Sequence, residues 1–423
     1  MSNEHSSRRS FLQTSAAATA GAVLLNTSPV HAAGSDTLKV ALVGSGGRGR
    51  GAAENALNAD KNTKLVALCD VFEDRLTQAH DLLKKEYPTQ VDVPQERRFT
   101  GFDGYKAAID AADVVLLCST PAFRPQHVAY AVEKGKHIFM EKPHAVDATG
   151  IRSVLESVKK AKEKNLCMVS GFCWRYHTPK RETMKQIEGG TIGDVQVMHS
   201  TYLTGELWYR GHEDKTPMEY QLRNWYYYTW LSGDFLVEQH IHNIDKINWV
   251  MKGQMPVAAQ GMGGRQTRTD KKYGNIFDHF TVVYEYANGA KAFSQCRQVD
   301  KTFGGVNDYL YGTKGTAELM AHTVTPHGGK AWRFSEKGKK YDMYQTEHDE
   351  LFAAIRAGKV INDGETSALS SLMGIMGREA AYSGQKITWE QMLKSKQNLM
   401  PDQLAFGDAP PVVVPVPGRY KFV

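Results

Sequence analysis

A lysine after a buried strand and a glutamate–histidine pair are the residues of this sequence best suited to proton transfer. Lys142 follows the apolar run 137–140, and such strand ends are where parallel sheets place their ligands. An ammonium group there could donate a hydrogen bond to a reacting hydroxyl, and desolvation would lower its pKa toward useful values. Glu238 and His242 are four residues apart, so on one helix they would share a face.

His240 lies between these two residues and completes the pattern Glu-x-His-x-His, which invites a metal interpretation. On a helix the side chain of His240 points about 200° away from that of Glu238, so three ligands could not converge without distortion. We therefore predict no metal. We expect His240 to line the pocket or to hydrogen-bond a neighbouring strand.

A glycine-rich turn near the start of the folded chain is typical of dinucleotide binding. Gly44, Gly46 and Gly49 form GxGxxG between the apolar run 38–43 and a helical segment. The first glycine allows a tight turn, the second lets backbone N–H groups approach a pyrophosphate, and the third lets helix and strand pack closely. Asp70 follows the next strand, 21 residues after Gly49. Its carboxylate would accept from ribose hydroxyls and repel a 2′-phosphate, which favours NAD over NADP.

The elements that must position these residues alternate in the first half of the chain. Short, almost wholly apolar runs predict buried strands, and helical periods lie between them, as expected for a parallel, doubly wound sheet. The predicted strands are residues 38–43, 64–69, 113–118, 137–140 and 167–169. The predicted helices are residues 47–57, 73–85, 125–133 and 147–164.

After about Phe172 the pattern changes to longer, alternating strands at 195–203, 278–286 and 291–297, with Asn288-Gly289 as a hairpin turn. This favours a mostly antiparallel sheet with one face covered by helices. Helical periods return at 348–357 and 367–382. The predicted fold class is thus α/β plus α+β. The predicted domains are a dinucleotide-binding domain at 36–172, an α+β domain for substrate and oligomerisation at 173–400, and a proline-rich tail at 401–423.

The first 33 residues resemble a twin-arginine (Tat) export signal. Arg8 and Arg9 precede an alanine-rich, mildly apolar run, and Val30-His31-Ala32 offers small residues for cleavage. We expect an exported, periplasmic protein that meets the Tat machinery. This route carries proteins already folded, which suits a cofactor loaded in the cytoplasm.

Composition excludes several classes of protein. The net charge of +6 is spread along the 423 residues and is not clustered with aromatic residues, so we predict no nucleic-acid partner. No stretch approaches the roughly 20 apolar residues of a membrane span. The five cysteines have neither zinc nor thioredoxin spacing, and we expect no essential disulfide.

Further motifs make the chain similar to the Gfo/Idh/MocA oxidoreductases across nearly all of its length after the signal. The similarity is carried by the run 112–121, which ends in Ser119-Thr120-Pro121, by His127, and by 135–143, which ends in Glu141-Lys142-Pro143. Arg175 and the run 192–194 match the junction between the two domains of that family, and the run 233–245 matches its substrate-domain helix. The resemblance implies a Rossmann domain, an α+β substrate domain, and hydride transfer at a sugar, inositol or related polyol.

The resemblance also implies roles for individual residues. His242 would be the general base, Glu238 would orient it or bind a neighbouring hydroxyl, and Lys142 would steady the developing alkoxide. The residues expected to bind NAD are Gly44, Ser45, Gly46, Gly47, Arg48, Gly49, Asp70, Ser119, Thr120, Pro121, His127, Glu141, Lys142 and Arg175. The candidate substrate contacts are Lys142, Arg175, Tyr202, Arg223, Glu238, His240 and His242.

Two departures from the family pattern concern the substrate pocket. Glu238 is one methylene longer than the usual aspartate, and His240 replaces a usual small residue. Aromatic residues near this segment suit stacking on sugar rings, although for any single one of them packing in the core or in an oligomer interface is the better interpretation. They are Trp208, Tyr209, Trp225, Tyr226, Tyr227, Tyr228 and Trp230.

These features predict an exported, NAD-dependent oxidoreductase that acts on a sugar, glycoside or inositol-type polyol. Because free NAD is scarce outside the cytoplasm, we expect NAD to be bound tightly and recycled within the site. One alternative is an NAD-dependent glycosidase or lyase that oxidises its substrate transiently and then eliminates the aglycone. Another is a non-enzymatic sugar-binding or redox-sensing protein. The family resemblance also implies a homo-oligomer.

Overall fold

The computed structural model describes residues 37–423. The export signal predicted over residues 1–33 therefore lies outside the described residues. No helix in the described part of the chain combines the length and apolar character that crossing a bilayer requires.

The first domain is built on a six-stranded, fully parallel sheet whose order is β3-β2-β1-β4-β5-β6. Its strands are β1 (Leu38–Val43), β2 (Thr63–Asp70), β3 (Arg98–Thr100), β4 (Val114–Leu117), β5 (His137–Met140) and β6 (Met168–Ser170). Its helices are α1 (Gly47–Ala59), α2 (Glu73–Glu86), α3 (Gly104–Asp110), α4 (Arg124–Glu133) and α5 (Ala148–Glu163). The strands are almost wholly buried because helices cover both faces of the sheet. This confirms the predicted doubly wound domain and adds β3 and α3, which the sequence did not predict.

The second domain is built on a nine-stranded sheet of order β14-β13-β12-β11-β7-β10-β9-β8-β15. Its strands are β7 (Val195–Thr204), β8 (Ala258–Gly264), β9 (His279–Glu285), β10 (Lys291–Gln298), β11 (Gly305–Gly312), β12 (Gly315–Glu318), β13 (Thr323–Pro326), β14 (Trp332–Arg333) and β15 (Ile387–Thr388). Neighbouring strands are antiparallel except β7 and β10, which pair in parallel. The predicted turn between β9 and β10 is present, with Gly289 at φ +88°. The mostly antiparallel sheet is thus also confirmed.

Helices connect the two sheets and cover one face of the second. They are α6 (Thr178–Glu188), α7 (Pro217–Arg223), α8 (Thr229–Ser232), α9 (Phe235–Glu238), α10 (Ile241–Val250), α11 (Met343–Arg356), α12 (Gly364–Ser383) and α13 (Trp389–Lys394). Helix α12 is buried along almost its whole length and packs on β8 and β9. The other face of this sheet is open and carries the exposed side chains of Met262, Phe293 and Tyr311.

Helix α11 belongs late in the chain but packs on the first domain. Its Leu351 and Phe352 are buried in one apolar cluster with Leu42 and Phe139 of the parallel sheet. Gln345 on the same helix exchanges two hydrogen bonds of 3.0 Å with Asn55 of α1. The dinucleotide-binding sheet is therefore completed by a helix from the last fifth of the sequence.

Candidate active site

A cleft of about 570 Å³ lies between the carboxyl ends of the parallel strands and the second domain. The structure brings sixteen of the predicted site residues to its wall. They are Gly44, Gly46, Gly47, Arg48, Gly49, Asp70, Ser119, Thr120, Pro121, His127, Glu141, Lys142, Tyr202, Arg223, Glu238 and His242. Residues from all parts of the first 250 positions thus meet at one cleft, where this fold places its ligands.

The glycine turn has the shape that a pyrophosphate needs. Gly44 has a φ of +93°, and a Cβ there would lie 2.4 Å from the backbone nitrogen of Ser119. A Cβ on Gly49 would lie 1.9 Å from the carbonyl oxygen of Gly44, so only glycine allows α1 to approach β1 this closely. At Gly46 and Gly47 a Cβ would meet nothing within 4 Å, and no side chain caps the start of α1. The turn therefore leaves open space at a helix N-terminus, and these residues fit a dinucleotide phosphate.

Asp70, at the end of β2, is held in place by backbone donors. Its Oδ2 accepts from the N–H of Ser45 at 2.7 Å, and its Oδ1 accepts from the N–H of Phe72 at 3.0 Å. Burial raises the pKa of Asp70, while the two N–H groups oppose this shift. The carboxylate faces the cleft with a fixed orientation, as a ribose acceptor must.

Three predicted contacts do not line the cleft, and these placements correct the sequence-based assignment. The Ser45 hydroxyl bonds the Cys69 carbonyl oxygen at 3.2 Å, so only its backbone serves the site, through Asp70. His240 is fully buried, and its Nε2 lies 2.7 Å from the Ser294 Oγ of β10. Of its two predicted roles, it therefore has the hydrogen bond to a neighbouring strand.

Among residues 37–423 no group of three or more metal-ligating side chains comes together.

Arg175 is the third correction. Its guanidinium donates to both carboxylate oxygens of Asp245 at 2.8 to 3.1 Å, and its Cζ lies 5.2 Å from the centre of the Trp249 ring. Asp245 on α10 is 1% exposed. Arg175 belongs to a short 3-10 segment, Cys173–Tyr176, that follows β6. It ties this segment to α10 and does not line the cleft.

Lys142, Glu238 and His242 line the same cleft, and Lys142 and Glu238 are in contact. The Nζ of Lys142 donates to Glu238 Oε1 at 2.8 Å and also to the Glu238 carbonyl oxygen. Both side chains are only about one-seventh exposed, at 13% and 14%. Burial, followed by the charge of Lys142, holds the pKa of His242 well below its ordinary value. The imidazole is therefore neutral at pH 7 and able to accept a proton.

The expectation that Glu238 and His242 share one helix is wrong. Glu238 ends the short helix α9, and His242 is the second residue of α10. The chain breaks at Gln239 and His240 because His240 turns inward onto β10. Both functional side chains still face the cleft, from two helix ends instead of two turns of one helix.

Gln239, which the sequence analysis did not select, has its amide orientation fixed by a buried chain of hydrogen bonds. Arg268 can only donate, and it donates to Gln298 Oε1. The Gln298 amide nitrogen must then donate, and it does so to Gln239 Oε1. The Oε1 of Gln239 is thereby occupied, and its amide N–H groups are left for other acceptors. Since Gln239 lines the cleft, it can offer the substrate side a donor.

A second cluster that sequence reasoning missed ties the glycine turn to helix α11. Arg48 is ion-paired with Glu141 and, at 3.0 Å, with Glu347 of α11, and its Cζ lies 4.8 Å from the centre of the Tyr344 ring. Burial opposes its charge, but Glu141 and Glu347 hold the pKa of Arg48 above its ordinary value. Burial and the charge of Glu141 raise the pKa of Glu347. Only the tertiary packing of α11 brings these residues together.

Only two of the seven predicted aromatic residues, Trp208 and Trp225, line the cleft. Tyr209 is partly buried outside the cleft wall, where its hydroxyl bonds Glu213 and Tyr220. Tyr226, Tyr227, Tyr228 and Trp230 are at most 6% exposed and belong to the core, as the competing interpretation had it. Further residues on the wall were not predicted. They are Phe72, Arg75, Phe102 and Arg210.

A buried histidine beside the site predicts a pH effect on stability. His144 is fully buried, neither ring nitrogen has a hydrogen-bond partner among the described residues, and burial, aided by Arg124, lowers its pKa to about 3. The unfolded chain, with an ordinary value of 6.5, takes up the proton first. The resulting loss of unfolding free energy is absent above pH 6.5 and grows as the pH falls, reaching about 2 kcal/mol at pH 5.

The free energy of unfolding should therefore fall between pH 7.5 and pH 5. We expect this fall to be about 2 kcal/mol smaller in His144→Phe than in wild type. Urea unfolding at both pH values measures this difference. The exposed His327→Phe is the control and should leave it unchanged. An equal loss in wild type and His144→Phe would contradict the prediction.

Comparison with known proteins agrees with this geometry. Residues 38–170 match the family model described as an oxidoreductase family with an NAD-binding Rossmann fold, and residues 181–318 match the GFO/IDH/MocA C-terminal domain. Among curated proteins, a myo-inositol 2-dehydrogenase of Thermotoga maritima is 24% identical over 82% of this chain and 96% of its own length. A glycosyl hydrolase family 109 protein of Bacteroides fragilis is 26% identical over 51% of this chain and 46% of its own length.

A solved structure shares the fold. A levoglucosan dehydrogenase in complex with NADH and levoglucosan superposes with a TM-score of 0.64 at 17% identity, over 84% of this chain and 99% of that one. The two family models together span more than half of the present sequence. The chain therefore belongs to the GFO/IDH/MocA oxidoreductases, enzymes that use NAD and act on CH–OH groups.

Proposed function

We propose that this enzyme is exported and oxidises a secondary alcohol of a sugar, glycoside or inositol-type polyol, using NAD that stays bound. The observation that carries the chemical part is that Lys142, Glu238 and His242 line the same cleft as the glycine turn. The inositol-specific relative supports the polyol class. The twin arginines at Arg8 and Arg9 support export by the Tat machinery to the periplasm.

When bound, NAD supplies a hydride acceptor for the carbon that is oxidised. The chain itself has to remove the hydroxyl proton. His242, held neutral, accepts that proton, while the Lys142 ammonium donates a hydrogen bond to the oxygen on which negative charge develops. Glu238 keeps the ammonium in place through the 2.8 Å contact. Gln239 and Trp225 offer a donor and an aromatic face to the remainder of a polyol.

Two measurements test this function. Natively exported protein, purified without added nucleotide, should carry NAD(H) detectable by mass spectrometry. In protein loaded with NAD, the absorbance of bound NADH at about 340 nm should rise, by up to one equivalent per site, with at least one of myo-inositol, D-glucose and levoglucosan. Protein that neither carries nor binds nucleotide, and that turns over no polyol, would contradict the proposal.

The partial match to a glycosyl hydrolase supports a second candidate function, redox-neutral cleavage of a glycoside. Oxidation would acidify the neighbouring C–H, elimination would release the aglycone, water would add to the resulting unsaturated ketone in its place, and return of the hydride would restore the sugar. Cleavage of 4-nitrophenyl glycosides without net formation of NADH would identify it. Net NADH formation from an unsubstituted polyol would favour the first function.

We also propose that the enzyme is a homo-oligomer joined through the open face of the second sheet. The support is the exposed apolar side chains of Met262, Phe293 and Tyr311 on that face. Light scattering gives the mass in solution, and a monomer would contradict this part.

Asp70 should determine the choice between NAD and NADP. We expect Asp70→Asn to weaken NADH binding and to lower the preference for NADH over NADPH at least tenfold, because the variant no longer repels a 2′-phosphate. Titration of the nucleotide-free protein with both nucleotides, followed by fluorescence, gives the ratio. Asp81→Asn, at an exposed carboxylate on α2, is the control. An unchanged ratio in Asp70→Asn would exclude the role assigned to Asp70.

A further inference from the structure

The last residues of the chain cross from the second domain to the first and back. Residues 401–423, here called the strap, contain no helix or strand. At the near end, the N–H of Met218 donates to the Gly407 carbonyl oxygen at 3.0 Å, and the Gln221 amide donates to the Pro410 carbonyl oxygen at 2.9 Å. At the far end, Tyr420 donates to Glu379 of α12 at 2.8 Å. The strap is therefore fixed to the second domain at both ends.

Immediately before the Gly407 anchor, the aromatic ring of Phe406 contacts the first domain. The ring of Phe406 lies 5.3 Å from that of Phe102 and 6.1 Å from that of Phe72, measured between centroids. Phe72 and Phe102 both line the cleft. Phe406 itself is half exposed and is not part of the cleft wall. It supports the two wall residues from outside.

Phe72 is held from the second domain as well. The Arg223 guanidinium of α7 lies 4.0 Å from the Phe72 ring centre and is paired with Asp74 at 3.1 Å. Phe72 thus contacts both Arg223 and Phe406. Neither contact can persist if the two domains move apart.

The supported wall is the adenosine end of the cleft. The backbone N–H of Phe72 donates to Asp70, the residue placed to accept from the adenosine ribose. An adenine extending beyond that ribose would meet the faces of Phe72 and Phe102. Release of the nucleotide requires this wall to open, and the strap resists that opening.

We infer that the strap retains the dinucleotide and that Phe406 is the positioning residue that keeps the adenosine end closed. The inference rests on the proposed function in one respect, that NAD is a resident cofactor. The inference adds which segment of the chain keeps NAD bound. Loss of the Phe406 ring should speed nucleotide release about tenfold or more, since an aromatic cluster of this kind contributes on the order of a factor of ten.

The experiment compares full-length wild type with Phe406→Ala. NADH-loaded protein is mixed with excess NAD, and the loss of bound NADH fluorescence gives the release rate. The control is Phe303→Ala, which removes an 82% exposed phenylalanine from the loop between β10 and β11. We expect wild type and Phe303→Ala to release NADH slowly and at equal rates, and Phe406→Ala to release it at least ten times faster with an unchanged melting temperature of the nucleotide-free protein.

Other outcomes separate this inference from the proposed function. Equal release rates in wild type and Phe406→Ala would overturn the role of the strap while leaving bound NAD in place. Wild type that binds no NADH would overturn both, and that result appears before any variant is made. If Phe406→Ala fails to fold, Phe406→Leu keeps apolar volume but removes the ring contacts, and the same comparison of release rates applies.

Discussion

Replacing Lys142 by methionine should lower kcat about 10³-fold while leaving the affinity for NADH within a factor of three. The ammonium pairs with Glu238 on the cleft wall, and in the proposed function it stabilises the oxygen on which negative charge develops. Removing a group that stabilises developing charge costs on the order of 10² to 10³ in kcat, and loss of positioned proton transfer costs a similar factor. The measurement is NADH formation with the best polyol or sugar substrate, together with a fluorescence titration of NADH.

Two further variants make this result specific. Lys142→Arg keeps the charge but not the compact ammonium, so kcat should still fall about 10²-fold. Lys106→Met removes a surface lysine of α3 that pairs with Asp103 and should leave kcat unchanged. Full activity in Lys142→Met would contradict catalysis by Lys142. Loss of nucleotide binding without a change in kcat would assign it to the cofactor alone.

Arg175→Met should have the opposite pattern, a large loss of stability without loss of cofactor binding. Its guanidinium makes three hydrogen bonds to Asp245, which is almost fully buried and also accepts from Ser370 at 2.8 Å. Removing one partner leaves an uncompensated buried carboxylate, which typically costs 3 to 5 kcal/mol. We therefore expect the free energy of unfolding to fall by roughly 3 kcal/mol or more, and the Kd for NADH to stay within a factor of two.

Urea unfolding followed by tryptophan fluorescence measures the first quantity, and nucleotide titration at low urea measures the second. The matched control is Lys394→Met, which breaks an exposed ion pair with Glu390 and should leave the free energy of unfolding nearly unchanged, because solvent screens such pairs. A variant of normal stability that no longer binds NADH would restore the role that the sequence assigned to Arg175.

The parallel sheet was predicted closely because its signals are local. Runs of buried residues set β1 and β5 to the residue, and the glycine turn places the start of α1 where it is observed. β3 was missed because its three residues, two partly buried and one exposed, show no periodic pattern. The parallel pairing of β7 with β10 could not be predicted, since it depends on which strands become neighbours after a long connection.

Site residues could be predicted where their position follows from a single strand that the sequence itself reveals. Asp70 and Lys142 follow strand ends, and both line the cleft. Prediction failed where tertiary contacts decide a side chain's direction. Nothing local shows that Arg175 pairs with Asp245, that His240 turns toward β10, or that Glu347 and Phe406 approach from the last fifth of the chain.

The position of helix α11 has a consequence for how the protein is made. Between Ser170, which ends β6, and Met343, which begins α11, the ribosome adds about 170 residues. At roughly 5 to 20 residues per second this takes on the order of 10 to 35 s. During that time the apolar face that Leu351 and Phe352 later cover remains exposed to the cytosol. Nascent chains halted before residue 343 should accordingly bind chaperones and resist isolation as a folded nucleotide-binding domain.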